Sequence, residues 1–437
     1  MAHRIGLRRE DMYAWERRTP LVPKDLQQLV EASGLDVVVQ SSDKRAFTDQ
    51  EYRDVGLTVS DSLADCPVII GLKEVPARVF EDDKVYVYFS HTIKGQPANM
   101  PLLKTALQRR CTILDYERIL DESNRRLIFF GNYAGLAGMI DTLWTLGRRL
   151  AWEGIATPLE AIRQASTYAD LDEAKNAIRA VGERIATEGL PNGFDPLVIG
   201  IAGYGNVSKG AQEILGLLPI TTCTPTDLLS GVVKAEPGRP VIKVVFREQD
   251  TVLPLEAGRA FDLAEYYDYP ERYRGAFARY LGAMHVLVNC IYWEPKYPRL
   301  VSHEDVCQLY GGSQPMLRVI GDISCDVVGG IEVTVKATEP DDPVYVYDIA
   351  SGEPISGVEG NGPVMMAVDI LPSELPREAS AYFSGILRTY VPAIASADYT
   401  VPFGELALPA ELKRAVIAYR GVLTPEYEGL AEHLKAA

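Results

Sequence analysis

The stretch LVIGIAGYGNVSKGAQEILGLL, residues 197–218, changes its period halfway along. Leu197 to Ala202 form an unbroken apolar run, the pattern of a strand buried on both faces of a parallel sheet. From Asn206 onward the apolar residues recur at helical spacing. Gly203-Tyr204-Gly205 lies between. Glycine has a use at both positions: Gly203 permits the tight strand-to-helix turn, and Gly205 lets the backbone approach a pyrophosphate held at the helix N-terminus. Asn206, Val207 and Ser208 complete the candidate cofactor loop. The third glycine of a dinucleotide fingerprint would fall at position 208, where this chain has Ser208, with Gly210 two residues on. Serine is small enough for close helix–strand packing. Glycine turns also occur in α/β folds that bind no nucleotide, but the flanking strand and helix favour a cofactor here.

An NAD site usually carries an acidic residue about 20 residues after the loop, where it binds the ribose 2′-hydroxyl. That place reads ITTCTPTDLL, residues 220–229, with Thr222, Cys223 and Thr224 and no carboxylate before Asp227. Absence of the acid removes a repulsion against a 2′-phosphate. NADP(H) is therefore expected, with NAD(H) as the alternative. Thr224 and Arg247, which follows VIKVVF (241–246), are the candidate ligands at this end.

Working outward, the chain has 437 residues, enough for about two or three domains. Its formal charge of −16 argues against non-specific nucleic-acid binding, which needs cationic surface. The six cysteines are scattered without a CxxC pair, so free thiols are expected and no metal site. The start, MAHRIGLRRED, lacks the apolar core of a signal peptide, and no apolar run approaches the roughly 20 residues of a membrane span. A cytoplasmic protein without membrane contact is the expectation.

The first 130 residues alternate strands (RIGLR, DVVVQ, PVIIGLK, KVYVYF, CTILDYE) with helices (PKDLQQLVEAS, MPLLKTALQRR). Residues 134–188 then read as helical, including PLEAIRQAS, before a second α/β series opens at residue 197. The expected architecture is α/β: two Rossmann-like domains with parallel sheets flanked by helices and an active-site cleft between them. Residues 1–130 plus 366–437 would form the substrate-binding, catalytic domain, and 131–365 the dinucleotide-binding domain with a helical connector.

Lys73 closes PVIIGLK and His91 follows KVYVYF. In a parallel sheet the C-terminal strand ends gather on one edge, where ligands bind, so Arg18, Lys73, Glu74, His91 and Glu117 are candidates for one site. Histidine is the natural proton shuttle near neutral pH. Arginine offers a planar fork to a substrate carboxylate. A structural histidine, a solvated Lys73–Glu74 pair and a charged ERR lead-in at 16–18 are the competing readings. Asp322 in RVIGDIS could face a bound nicotinamide or cap the next turn.

Taken together, IGLRREDMYAWERRTPLVP, FSHTIKGQPANM, ILDYERI, FFGNYAGLAGMI, GYGNVSKGAQEIL, VNCIYWEPKYPRL, GDISCDVVGGIE and ILPSELPREAS resemble the lysine–2-oxoglutarate reductase family. This is the saccharopine-forming half of the bifunctional lysine-degrading enzymes, within the saccharopine dehydrogenase and alanine dehydrogenase family. The resemblance implies that L-lysine condenses with 2-oxoglutarate and NADPH reduces the imine to saccharopine. It implies Lys73 and His91 as acid–base groups, Glu74 and Glu117 as modulating glutamates, Arg18 and Arg126 as carboxylate ligands, and Asp322 beside the nicotinamide. The saccharopine-cleaving domain of those enzymes is not found in the chain, so the expectation is either a separate dehydrogenase that consumes the product or another opine-type reaction for this one. An NAD-dependent, lysine-forming saccharopine dehydrogenase and a non-catalytic nucleotide sensor on the same scaffold are the alternatives.

Overall fold

A computed structural model describes residues 4–312 and 315–436. The chain divides into two compact units, Met1–Phe130 with Pro376–Ala437, and Gly131–Leu375. Strands are numbered along the chain: β1–β6 lie before residue 130, β7–β16 in the second unit, and β17 and β18 near the C-terminus.

In the first unit β1 (Arg4–Leu7), β2 (Asp36–Gln40), β3 (Thr58–Ser60), β4 (Val68–Ile70), β5 (Val85–Tyr88) and β6 (Thr112–Asp115) run parallel in the order β6-β5-β4-β1-β2-β3. The late strands β17 (Val416–Tyr419) and β18 (Val422–Leu423) extend the β6 edge antiparallel. Helix Pro23–Ser33 is bounded by its own sequence: Pro23 opens it, and Gly34, at φ 67°, caps it with a bond to the Val30 carbonyl. The helix after Pro376 returns to this unit and buries Phe383 and Leu387 among Ile5, Leu7, Val87 and Tyr116.

In the second unit the strands are β7 (Leu197–Ala202), β8 (Ile220–Cys223), β9 (Val241–Phe246), a separate hairpin of β10 (Val252–Pro254) and β11 (Tyr273–Gly275), β12 (Val286–Asn289), β13 (Val319–Asp322), β14 (Val344–Tyr347), β15 (Pro354–Ser356) and β16 (Val364–Met366). The large sheet has the order β15-β14-β16-β13-β12-β7-β9-β8 and is parallel from β16 to β8. β9 therefore lies next to the glycine-loop strand β7, and β8 lies outside it. The chain visits the edge before it fills the gap.

Two expectations need correction. The boundary falls after Leu375 rather than at 366, because β16 pairs with β13 and Val368, Leu371 and Leu375 complete the second unit's core. Residues 158–166 form short 3-10 turns, Pro158–Ala161 and Ala165–Thr167, instead of a helix. The buried carboxylate of Asp141 takes the Ala165 N–H at 2.7 Å, a tertiary bond in place of a helical one. Among the described residues no helix is long and apolar enough to cross a membrane, and no cluster of three metal-ligating side chains occurs.

Candidate functional site

In the first unit the turn after β4, Gly71-Leu72-Lys73-Glu74, is held from beneath. The buried carboxylate of Glu10 accepts the N–H groups of Leu72 (2.8 Å) and Lys73 (3.0 Å), and Tyr116 Oη donates to the Gly71 carbonyl (2.9 Å). Gly71 leaves room for the Arg8 side chain, since a Cβ there would come within 2.9 Å of it. Burial pushes the Glu10 carboxyl up, against the pull of Arg8, which pairs with it at 3.4 Å.

His91 follows β5 in the left-handed region, at φ 48°. A non-glycine residue there is uncommon, and such strain concentrates at functional positions. Its ring stacks on Phe89 (6.0 Å, 13°), and Nδ1 lies 2.5 Å from Glu74 Oε1. Glu74 thereby fixes the orientation of the ring. Nε2 makes no hydrogen bond among the described residues, and neither does Lys73 Nζ. Burial pushes the Glu74 carboxyl up, but the bond and charge of His91, with the charge of Lys73, outweigh it and hold it below its ordinary range. Its second oxygen, Oε2, is buried without a partner. Lys73, Glu74 and His91 thus form one electrostatic cluster.

Glu117 accepts from Arg126 Nη2 at 2.7 Å. Below them Asp115 is fully buried and accepts from the backbone N–H groups of Ser90 (3.1 Å) and Glu117 (2.8 Å) and from the Ser90 hydroxyl. Burial, then the charge of Glu117, raise its carboxyl to about 6. Arg18 departs from expectation. Its Nε and Nη2 are filled by Glu16 (2.8 and 2.6 Å), and its guanidinium lies 4.4 Å over the Phe130 ring. The fork that would clamp a substrate carboxylate is occupied by a carboxylate of the protein, because both charges are buried and must compensate each other.

In the second unit a cavity of about 410 Å³ opens at the C-terminal ends of β7, β9 and β12. Gly203, Tyr204 and Gly205 form one wall, Arg247, Glu248 and Tyr267 another, and Asn289 and Trp293 a third. Gly203 has φ 97°, and a Cβ on it would lie 3.0 Å from the Cys290 carbonyl. A Cβ on Gly205 would meet nothing within 4 Å, so the space above the turn is open to a ligand. Helix Asn206–Leu215 begins there, directing its first N–H groups toward that space. The cradle fits a dinucleotide pyrophosphate.

Ser208 is buried and accepts from Gln212 Nε2 at 3.0 Å. The close approach expected of a third glycine occurs at Gly210, where a Cβ would lie 2.1 Å from the Asn132 carbonyl oxygen. Gly135 reciprocates, its Cβ position 1.9 Å from the carbonyl oxygen of Val207. Helix Gly131–Trp152 and the loop helix cross at these two glycines.

Thr224 does not line the cavity. Its hydroxyl donates to Asp227 Oδ2 (2.7 Å) and accepts the Asp227 N–H (3.1 Å), capping helix Pro225–Ser230. The strand order explains this, since the position beside the glycine loop belongs to the end of β9, which is Arg247 and Glu248. Asp322 is also turned inward, accepting from Asn289 Nδ2 (2.8 Å), Thr334 Oγ1 (2.6 Å) and the Cys325 N–H (3.3 Å). Burial raises it to about 6. Asn289, not Asp322, is the residue presented to the cavity. Sequence reading passed over Glu10, Asp115, Glu248 and Asn289. The strand-end position of Asp115 and Asn289 was the one signal available.

A glycine turn that fits a dinucleotide in one unit and a strand-end cluster of Lys73, Glu74 and His91 in the other define a two-unit α/β protein with a dehydrogenase-type fold. Residues 6–137 match the alanine dehydrogenase/PNT N-terminal domain. The fold is similar to that of an L-alanine dehydrogenase (TM-score 0.63, 18% identity, 99% of both chains covered). It is also similar to a transhydrogenase from Sinorhizobium meliloti (TM-score 0.59, 14% identity, 96% of this chain and 100% of that one). In sequence the chain is 40% identical to an alpha-aminoadipic semialdehyde synthase of Arabidopsis thaliana, over 97% of this chain and 41% of that protein. It is 35% identical to the mitochondrial alpha-aminoadipic semialdehyde synthase of Rattus norvegicus, over 97% of this chain and 47% of that one. A saccharopine dehydrogenase [NAD(+), L-lysine-forming] of Emericella nidulans is 26% identical, with 88% of this chain and 90% of that one covered. Over nearly its whole length the chain is thus similar to semialdehyde synthases and to a saccharopine dehydrogenase, and its first part carries the alanine dehydrogenase/PNT N-terminal domain. It spans less than half the length of the semialdehyde synthases cited.

Proposed function

We propose that this chain catalyses the reductive condensation of L-lysine with 2-oxoglutarate to saccharopine, with NADPH as reductant. The unit Met1–Phe130 with Pro376–Ala437 is the substrate and acid–base unit in this reading, and Gly131–Leu375 the cofactor unit. The observation that carries it is His91, strained at φ 48°, bonded through Nδ1 to Glu74 and with Nε2 unengaged among the described residues. A dinucleotide held at Gly203, Gly205 and the start of helix Asn206–Leu215 would supply the hydride that reduces the substrate imine. The remaining work is proton transfer: the amine attacks the ketone, the resulting carbinolamine loses its oxygen as water, and the product nitrogen keeps a proton. His91 Nε2 protonates the departing oxygen. Glu74 keeps Nδ1 as the donor to its carboxylate and stabilises the charged ring, and Lys73 supplies a second cationic proton donor. Arg126 is the remaining candidate for a substrate carboxylate, since Arg18 is committed to Glu16.

The experiment is a screen of amines and keto acids against oxidation of NADPH and NADH. Fastest turnover with lysine, 2-oxoglutarate and NADPH supports the reading. Absence of turnover with any pair would leave a nucleotide-binding sensor instead. Glu248 beside the glycine loop favours a second reading, an NAD-dependent saccharopine dehydrogenase working towards lysine, because a carboxylate there suits a free ribose 2′-hydroxyl. Faster turnover with NADH would select it. The six free cysteines favour a reducing compartment, which we read as the cytoplasm and which cell fractionation tests.

A further inference from the structure

Adjacent opposite charges stand at the end of β9 and do not pair with each other. Arg247 lies with its guanidinium 4.5 Å over the Tyr204 ring, and that guanidinium makes no hydrogen bond or ion pair among the described residues. Glu248 Oε1 accepts two phenol hydroxyls instead, from Tyr267 (2.7 Å) and from Tyr204 (3.2 Å). Burial, then the bond to Glu248, push the Tyr267 hydroxyl up, so it remains a donor throughout the working pH range. All four side chains line the cavity above the glycine turn. Since β9 occupies the place next to β7, its end is where the adenosine ribose of a dinucleotide on that turn would lie.

We infer that Arg247, Glu248, Tyr204 and Tyr267 form the element that selects a 2′-phosphorylated cofactor, with the two tyrosines withholding Glu248 from Arg247. A carboxylate next to the 2′ position would repel a phosphate or neutralise the arginine that should bind it. Here the carboxylate is spent on phenol hydroxyls, and Tyr204 presents the guanidinium flat, leaving its planar fork for a phosphate. This deepens the NADPH part of the proposed function and does not depend on the identity of the amine or keto acid.

The test is calorimetric titration of the full chain with adenosine 2′,5′-bisphosphate and with adenosine 5′-monophosphate, neither of which can turn over. The wild-type chain should bind the bisphosphate more tightly. Arg247→Ala should weaken the bisphosphate by roughly 10–100-fold, the scale of lost charge-assisted hydrogen bonds, and leave the monophosphate nearly unchanged. Tyr267→Phe should weaken the bisphosphate alone, because a released Glu248 pairs with Arg247, and Glu248→Gln combined with Tyr267→Phe should restore it. Equal losses for both ligands in Arg247→Ala, or unchanged bisphosphate binding in Tyr267→Phe, would overturn the assignment. A failed lysine assay would leave these titrations untouched, so the two readings fail separately.

Discussion

Gly135 and Gly385 both sit inside helices, Gly131–Trp152 and Pro376–Leu387. By intrinsic propensity, alanine at either should gain up to about 1 kcal/mol. Their surroundings separate them. A Cβ on Gly385 would meet nothing within 4 Å, whereas one on Gly135 would lie 1.9 Å from the Val207 carbonyl oxygen and 2.8 Å from the Ala211 nitrogen. Those are backbone atoms and cannot rotate aside. Restoring ordinary contact at 3.4 Å requires the two helices to part by about 1.5 Å, in an interior packed like a crystal. Overpacking of this kind costs about 1–3 kcal/mol and occasionally more, so it exceeds the propensity gain. Gly135→Ala should lose a net 1–2 kcal/mol, about 2–8 °C in Tm for a unit of this size, while Gly385→Ala should be neutral or stabilised. Parting the helices also displaces the start of helix Asn206–Leu215, so Gly135→Ala should weaken adenine-nucleotide binding and Gly385→Ala should not. Thermal and urea unfolding with nucleotide titration reads both effects. Stabilisation of Gly135→Ala equal to that of Gly385→Ala would refute the reasoning.

Three further outcomes are expected. His91→Ala and Lys73→Met should each lower kcat by roughly 10²–10³-fold with nucleotide affinity intact, and unchanged turnover in both would remove them from the chemistry. Arg18→Ala leaves Glu16 buried without compensation and should cost about 3–5 kcal/mol of stability, with urea midpoints as the readout; a loss confined to keto-acid KM would restore the substrate-clamp role. Asp322, held by burial near 6 instead of 3.8, binds more protons folded than unfolded. Its contribution therefore favours the fold below about pH 4 and is lost as pH rises through about 6, a swing on the order of 3 kcal/mol. Asp322→Asn should flatten that part of the stability curve between about pH 4 and 6, and a difference curve without slope there would contradict it.

Elements whose limits are set locally were legible in the sequence. Helix Pro23–Ser33 carries its own start and stop, and the glycine turn at Gly203 is an apolar run meeting a helical period. The Lys73–Glu74–His91 cluster was also within reach, since parallel strands deliver their C-terminal ends to one edge whatever their order. Features that depend on strand order or burial were not legible. Glu16 and Arg18 read as a charge run because nothing in their spacing says that both are buried. VMM at 364–366 was passed over because a run of three carries no period that separates strand from buried loop. The cofactor position shows the difference most directly. Counting along the chain leads to Thr224, because a second strand normally lies beside the first. Here β8 goes to the edge and β9 fills the gap, so the residues that line the cavity beside the glycine turn are Arg247 and Glu248. The rule that an acidic residue selects NAD concerns a place in the sheet, and this chain puts both an acid and a base there. The two tyrosine hydroxyls engage the acid and leave the base, so the proposed choice between them rests on a tertiary contact that no spacing in the chain announces.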